Sequence, residues 1–175
     1  MRAITKSVAW RAVHPDYADE IVFTQAALDH LRRHRQLGFF AKEAGGQLFG
    51  RRIAEGLEVV AATGPYKGDA RTRTSYRSDP VAANRMIGTM RKKDLIYLGE
   101  WHTHPERHPQ PSQSDHDAFV RLCAHSEHAS ATLILAIQGQ TAVPMGLAVL
   151  TLDEGDLAPW AVRDRNLELQ HEQSP

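Results

Sequence analysis

Three segments of the chain carry apolar residues at the spacing of an amphipathic helix. In residues 24–36, Ala27 and Leu31 fall on one face. Thr24 stands in front of them, where an N-cap belongs. In residues 81–93, apolar side chains recur every four positions and basic residues close the segment, which suits the helix dipole. The pattern predicts helices at residues 24–36, 81–93 and 114–126.

Shorter apolar runs, rich in β-branched and aromatic residues, predict the strands. The run at residues 95–101 is almost continuously apolar, which is typical of a buried strand. The run after Gly45 and the run at residues 57–62 are separated by Glu55 and Gly56, which predicts a hairpin. Gly45 and Gly46 permit a tight backbone path into its first strand. The predicted strands are residues 8–13, the segment after Gly45, and residues 57–62, 95–101, 131–137 and 142–150.

The remaining segments define the predicted domain limits. Residues 64–79 are rich in glycine, arginine and threonine, which predicts a long loop carrying one edge strand. The length of 175 residues suits one domain. We therefore predict an N-terminal strand and linker over residues 1–18, a single domain over 19–165 and a polar tail over 166–175.

The composition is that of an ordinary globular protein without a charge preference. Hydrophobic residues make up 42% and charged residues 24% of the chain, and 21 basic side chains balance 21 acidic ones. This balance, without any polybasic stretch, predicts neither a nucleic-acid partner nor a membrane surface. No apolar run has the length of a signal peptide core or of a membrane span, so we expect a cytoplasmic protein.

A short constellation in the second half of the chain has the layout of a metal site. Alternate side chains of a strand share a face, so His102 and His104 can point at one cation while Thr103 points away. Pro105 ends the strand, and a helix that begins after the proline-rich loop presents Asp115 in its first turn. Two imidazoles and one carboxylate leave the fourth position of Zn²⁺ open for water, which is typical of a catalytic site.

Two further residues would supply the groups that a bare metal site lacks. Glu43 is the candidate general base, which takes a proton from the activated water and passes it to the leaving amine. Ser112 can reach the oxygen on which charge develops. Cys123 is the single cysteine, so any zinc must use nitrogen and oxygen ligands. Plainer interpretations stay open: the histidines can be surface residues, and Ser112 with Asp115 can be a capping box.

Together these positions resemble the signature of the JAMM (JAB1/MPN/Mov34) metallopeptidases. That signature is a distant Glu, then His-Ser/Thr-His-Pro, seven residues, Ser, two residues and Asp. The resemblance covers residues 21–150 and implies zinc held by the two histidines and the aspartate. It also implies an α/β single-domain JAB/MPN-like sandwich, in which a mixed, curved sheet is flanked by helices. The matching positions are Glu43, His102, His104, Ser112 and Asp115.

The resemblance also implies an activity. Members of the family cleave isopeptide or peptide bonds after a ubiquitin-like C-terminal tail. Residues 71–74 and 100–106 resemble the small bacterial branch that is encoded beside ubiquitin-transfer-like enzymes in anti-phage operons such as type II CBASS. The implied substrate is a ubiquitin-like or otherwise conjugated protein, and the implied partners are operon-encoded activating and conjugating enzymes.

Substrate recognition has to differ from that of eukaryotic members of the family. Those members often carry a second insertion after the helix that bears the aspartate, and the chain has too little room for one between Cys123 and Ala131. An extended tail can instead add to an exposed strand by backbone hydrogen bonds. Arg71, Arg73 and Tyr76 are candidates to line that groove, although a solvated basic loop explains them equally well.

Other functions of the same fold remain as alternatives. One is a non-catalytic scaffold of the JAB fold, but such chains lack the ligands that are present here. A second is a DNA-repair-associated JAB-fold protein, whose motif usually has Asn between the histidines and Gly soon after the proline, where this chain has Thr103 and Glu106. A third is metal sensing or storage.

Overall fold

The structure is a computed structural model that describes residues 8–125 and 132–165. Within these residues, ten strands and three helices follow one another along the chain. No helix in these two ranges has the length and apolar content that crossing a membrane requires. The elements are β1 (Val8–Val13), β2 (Glu20–Thr24), α1 (Gln25–Arg33), β3 (Gly45–Ile53), β4 (Gly56–Ala62), β5 (Ala70–Arg71), β6 (Tyr76–Arg77), α2 (Pro80–Arg91), β7 (Ile96–Thr103), α3 (Gln113–His125), β8 (Ile134–Gln138), β9 (Leu147–Asp153) and β10 (Asp156–Asp164).

Eight of the strands form one mixed sheet. Their order is β1-β10-β9-β8-β7-β3-β4-β2, and β1 also pairs with β2, so the sheet closes on itself. The β2–β4 and β7–β8 pairs are parallel, whereas the other pairs are antiparallel. As a result β7, which contains His102 and ends one residue before His104, has a neighbouring strand on each side.

Helices cover both faces of this sheet. Alternate side chains of a strand point to opposite faces, and β8 shows which helix lies on each. Ile134 packs in the core cluster that includes Leu31 of α1. Leu135 and Ile137 pack instead with Phe119 of α3. The predicted α/β domain with a mixed, curved sheet flanked by helices is therefore confirmed.

The first helix begins at the predicted cap. The Thr24 hydroxyl accepts a hydrogen bond from the amide of Ala27 at 3.3 Å and donates one to the carbonyl of Val60 at 2.9 Å, so the cap also ties α1 to β4. The helix ends at Arg33 and not at residue 36 as predicted. Gln36 instead turns into the interior, where it is 1% exposed.

Several predicted strand limits were wrong. The strand predicted at residues 142–150 begins only at Leu147, because residues 139–146 close a turn in which Gly139 donates its amide to the carbonyl of Gly146 at 2.8 Å. Strands β2 and β10 were not predicted: β2 runs directly into α1, and β10 contains Pro159 and has Trp160 as its one buried residue. The predicted start of β8 at residue 131 lies outside the described residues.

Residues 64–79 also differ from the prediction, whereas the predicted domain limits stay predictions. Instead of one edge strand, residues 64–79 contain the short strands β5 and β6, which pair with each other as a small hairpin. The predicted division after residue 18 separates β1 from β2 and β10, the strands with which it pairs. Residues 166–175, the predicted polar tail, lie outside the described residues.

The pairing of β7 with β3 is irregular at Gly99. Gly99 has a φ of 138°, a conformation that side chains other than glycine rarely adopt. The β3–β7 pairing shifts register at this point, between Leu48 and Phe49. A Cβ atom at Gly99 would also collide with the backbone of Ile134 in β8. Glycine is therefore required three residues before the first histidine.

We expect Gly99→Ala to lower the free energy of unfolding by about 2 kcal/mol or more, since both the backbone strain and the collision disfavour alanine. Urea unfolding followed by circular dichroism measures this loss. Gly88→Ala is the matched control, because Gly88 lies in α2 with open space around it and alanine favours a helix by about 1 kcal/mol. Equal stabilities of the two variants would contradict the expectation.

Candidate active site

The two candidate histidine ligands stand at the C-terminal end of β7. His102 pairs in register with Gly45 of β3 and Ile137 of β8. One residue beyond the strand, His104 donates its amide to the carbonyl of Gln138 at 3.0 Å. Both residues are buried, at 9% and 7% exposure. The neighbouring strands thus hold both imidazoles in place.

Asp115, in the first turn of α3, completes the cluster. Its Oδ1 lies 3.1 Å from His102 Nε2 and its Oδ2 lies 3.3 Å from His104 Nε2. The two Nε2 atoms are 3.1 Å apart. A tetrahedral ion with bonds of about 2.0–2.1 Å, as zinc makes to nitrogen, has ligand atoms about 3.3 Å apart. The three residues predicted as ligands are therefore brought together at distances that fit one metal ion.

The electrostatics of the cluster favour positive charge. Burial acts to raise the pKa of Asp115, but hydrogen bonds with His102 and His104 outweigh it and hold that pKa well below its usual range. Burial acts to lower the pKa of His104, but its hydrogen bond to Asp115 and the negative charges around it raise the pKa above its usual value. Protons and a metal ion would therefore compete for the same ligand atoms.

Ser112 and Asp115 form the capping box that the sequence left open as an alternative. The amide and the hydroxyl of Ser112 both donate to Asp115 Oδ2, each at 2.6 Å. In return the amide of Asp115 donates to Ser112 Oγ at 3.2 Å. Because Oδ1 still faces His102, one carboxylate caps α3 and faces the histidines at the same time. The capping interpretation and the ligand interpretation are thus compatible.

A cavity of about 320 Å³ between the β5–β6 hairpin and α3 joins the predicted site residues. Glu43 lies in this cavity with only 4% of its surface exposed. Burial raises the pKa of Glu43 to about 7; the charge of His104 opposes this shift, and those of Asp115 and Glu106 add to it. A carboxylate with such a pKa can take up and release a proton near neutral pH. The predicted residues that line the cavity are Glu43, His102, His104, Ser112 and Asp115.

The hairpin holds the backbone of Glu43. The amide of Glu43 donates to the carbonyl of Thr72 at 2.8 Å, and Arg71 Nε donates to the carbonyl of Glu43. Arg73 donates to the carbonyl of Phe39, and its guanidinium carbon lies 5.1 Å from the centre of the Phe39 ring. The two arginines predicted to line a substrate groove therefore bind the segment that leads to the candidate base.

Two contributors near the site were missed by the sequence analysis. Gln36 is buried and its side chain donates to the carbonyls of Ala41 and Arg73, but a polar residue just after a helix is typical of an exposed turn, so nothing in the sequence marked it. Glu100 lines the same cavity, and burial raises its pKa. Glu100 lies two residues before His102 in β7, so strand alternation places both side chains on one face. This spacing could have indicated Glu100 as a residue of the site.

Fold and site together define an α/β domain of the JAB type with a candidate metal centre. Residues 24–151 match the family described as prokaryotic homologs of the JAB domain. This match covers well over half of the chain, and the chain belongs to that family. The resemblance to JAMM proteins that the sequence predicted is thereby confirmed.

Curated relatives and a solved structure agree with this assignment. A protein of Escherichia coli named CD-NTase/cGAS isopeptidase is 28% identical over 134 residues, which cover 75% of this chain and 83% of the relative. A protein with the same name from Pseudomonas aeruginosa is 31% identical, and the match covers 66% of this chain and 75% of the relative. Another from Vibrio cholerae is 30% identical, and the match covers 69% of this chain and 76% of the relative. A protein from Desulfitobacterium hafniense, solved in solution, is 22% identical with a TM-score of 0.59, covers 79% of this chain and 88% of its own, and shows the fold alone.

The buried carboxylate makes a prediction for the metal-free protein. The pKa of Glu43 is raised from an ordinary 4.5 to about 7 in the folded state, so the folded chain binds the extra proton and stability falls as pH rises through this window. The measured quantity is the free energy of unfolding of Glu43→Gln minus that of wild type. We expect this difference to be on the order of 2 kcal/mol more favourable to the variant at pH 8 than at pH 4.5.

Chemical unfolding at both pH values in the presence of a chelator measures this difference. Glu55→Gln, at an exposed carboxylate, corrects for the loss of one charge. If the Glu43→Gln difference is the same at both pH values, burial does not raise the pKa of Glu43.

Proposed function

We propose that this chain is a zinc-dependent isopeptidase that hydrolyses the amide bond after the C-terminal tail of a ubiquitin-like or otherwise conjugated protein. The observation that carries the proposal is one cavity in which a buried carboxylate, Glu43, faces the cluster of His102, His104 and Asp115. The names of the curated relatives support an isopeptidase and suggest that the conjugated protein is a CD-NTase. The proposed setting is a bacterial anti-phage system whose activating and conjugating enzymes make the substrate.

The residues of the cavity fit the proposed reaction. When bound, zinc supplies the positive charge that acidifies a water molecule and polarises the scissile carbonyl. Glu43 takes a proton from the water, whose oxygen attacks the carbonyl carbon. As the C–N bond breaks, Glu43 delivers that proton to the lysine nitrogen, which leaves as an amine; the remaining proton of the water stays on the new carboxylic acid, which then releases it to solvent and becomes a carboxylate. Ser112 stabilises the oxygen on which negative charge develops, for which its hydroxyl turns from Asp115 while its amide keeps the helix cap.

The β5–β6 hairpin is the proposed binding surface for the tail of the conjugated protein. Each strand of the main sheet has a partner on both sides, so within the described residues the hairpin offers the free strand edge. Its residues 74–77 also line the catalytic cavity. A tail bound there by backbone hydrogen bonds would place its last carbonyl beside Glu43. In this proposal Tyr76 lines the groove, whereas Arg71 and Arg73 hold the loop behind it.

The proposed function is tested with a CD-NTase joined through its C-terminal carboxylate to a lysine side chain. We expect one zinc per chain and cleavage that a chelator abolishes. Glu43→Gln should keep the zinc but lower kcat by about 10²–10⁴-fold, because it removes the general base. Asp115→Ala should lose both zinc and activity, because it removes a ligand.

Glu55→Gln is the matched control for the loss of a carboxylate. Full activity of Glu43→Gln would show that another group is the base. Purified protein without stoichiometric metal would refute the zinc site. A chain that binds zinc and the conjugate without cleaving it would instead be a scaffold of the JAB fold.

The backbone pairing is tested on the substrate. A strand directs alternate N–H groups to opposite sides, so only every second amide of the tail can donate to the hairpin. Methylating those nitrogens in a tail peptide should raise KM about fivefold for each hydrogen bond lost. Methylating the intervening nitrogens is the control and should leave KM within twofold. The same KM for both sets of peptides would exclude tail binding by strand addition.

A further inference from the structure

Gln36 is a buried side chain whose amide binds three separate segments. Its Nε2 donates to the carbonyl of Ala41 at 3.1 Å and to the carbonyl of Arg73 at 2.9 Å. Its Oε1 accepts a hydrogen bond from the hydroxyl of Thr103 at 3.1 Å. Since the residue is 1% exposed, water cannot replace these partners. Both donors and the acceptor of the amide are thus used within the protein.

Each of these three segments carries part of the candidate site. Ala41 lies two residues before Glu43, the proposed base, and Thr103 lies between the two histidines. Arg73 belongs to the β5–β6 hairpin, which holds the backbone of Glu43. Gln36 therefore contacts the base segment, the ligand strand and the hairpin at one point.

Thr103 extends this contact to the residue next to Glu43. The Thr103 hydroxyl accepts a hydrogen bond from the amide of Ala44 at 2.9 Å, and the amide of Thr103 donates to the carbonyl of Ala44 at 2.8 Å. Thr103 is fully buried and faces away from the histidines, as predicted. The path Gln36–Thr103–Ala44 therefore joins the backbone of the ligand strand to that of the base segment.

The chemistry of this path needs an amide. A carboxylate has no hydrogen to donate to the carbonyls of Ala41 and Arg73, and an apolar side chain leaves those carbonyls and the Thr103 hydroxyl without this partner. Only a side chain with both a donor and an acceptor satisfies all three neighbours. The requirement is local, since all three hydrogen-bond partners of the side chain belong to segments of the candidate site.

We infer that Gln36 is a positioning residue for the proposed reaction: through Thr103 it fixes the distance between Glu43 and the pair His102 and His104. The inference rests on the proposed function, because it concerns the same base and the same ligands. Displacement of a catalytic group by about 1 Å can lower a rate by about 10²-fold. Gln36 touches neither substrate nor metal in this role.

The test compares Gln36→Met and Gln36→Glu with wild type in the zinc-loaded enzyme. Both variants should lower kcat about 10–100-fold, keep KM within twofold and keep one zinc per chain, because the ligands stay while the base is displaced. Thr103→Val should have the same effect, and Thr103→Ser should restore kcat. Gln25→Met is the matched control, since Gln25 is exposed and bonds only to Asp29 among the described residues.

A double variant separates positioning from general loss of structure. If Gln36 acts through Glu43, Gln36→Met should lower the residual rate of Glu43→Gln by less than twofold. The inference would be overturned if Gln36→Met lowered the rate by the same factor in wild type and in Glu43→Gln. It would also be overturned if Gln36→Met raised KM and left kcat unchanged.

A readout without activity keeps the two proposals distinguishable. In the metal-free protein, Gln36→Met should speed hydrogen exchange at the amides of Glu43 and Ala44, which donate to the hairpin and to Thr103. Unchanged exchange would overturn this inference even if the wild type cleaves the conjugate. A wild type that binds zinc and cleaves nothing would refute the proposed function.

Discussion

The close approach of three mutually bonded polar side chains, two from the end of β7 and one from the first turn of α3, is the constraint on which the rest of this structure depends. His102 and His104 are buried and Asp115 is partly buried, and their loss of hydration is tolerable only if their partners stand at fixed distances. Strands β3 and β8 fix the two histidines from either side, and the first turn of α3 fixes the aspartate. The closed sheet and its two helical faces supply the rigidity that this arrangement needs.

The same constraint explains the environment of Glu43. Glu43 lies outside the helices and strands. Its segment is nevertheless hydrogen-bonded to the β5–β6 hairpin through Glu43 and to strand β7 through Ala44. These bonds hold the backbone at a place where Glu43 is only 4% exposed, and this burial raises the pKa of its carboxyl to about 7. The irregular backbone at Glu43 and Ala44 is thus held by hydrogen bonds with Arg71, Thr72 and Thr103 and not by the internal bonds of a helix or strand.

Sequence patterns predicted the parts of the fold and of the candidate site that depend on local order. The apolar run before His102 predicted β7, and strand alternation predicted the opposite directions of His102 and Thr103. Strand β10 was not predicted because Pro159 lies inside it, and a proline inside an apolar run argues against a strand. The burial of Gln36 was not predicted because it depends on residues up to 104 positions away in the chain. No local sequence pattern encodes such contacts.

The carboxylate of Asp115 belongs at once to the cap of α3 and to the histidine cluster. Its two tasks are therefore thermodynamically linked. Any ion that binds Asp115 in its present orientation also favours the folded start of α3, and by reciprocity a better-ordered helix start raises the affinity for that ion. In a JAB domain built this way, metal binding and the local folding of one helix are coupled, so that each changes the equilibrium of the other.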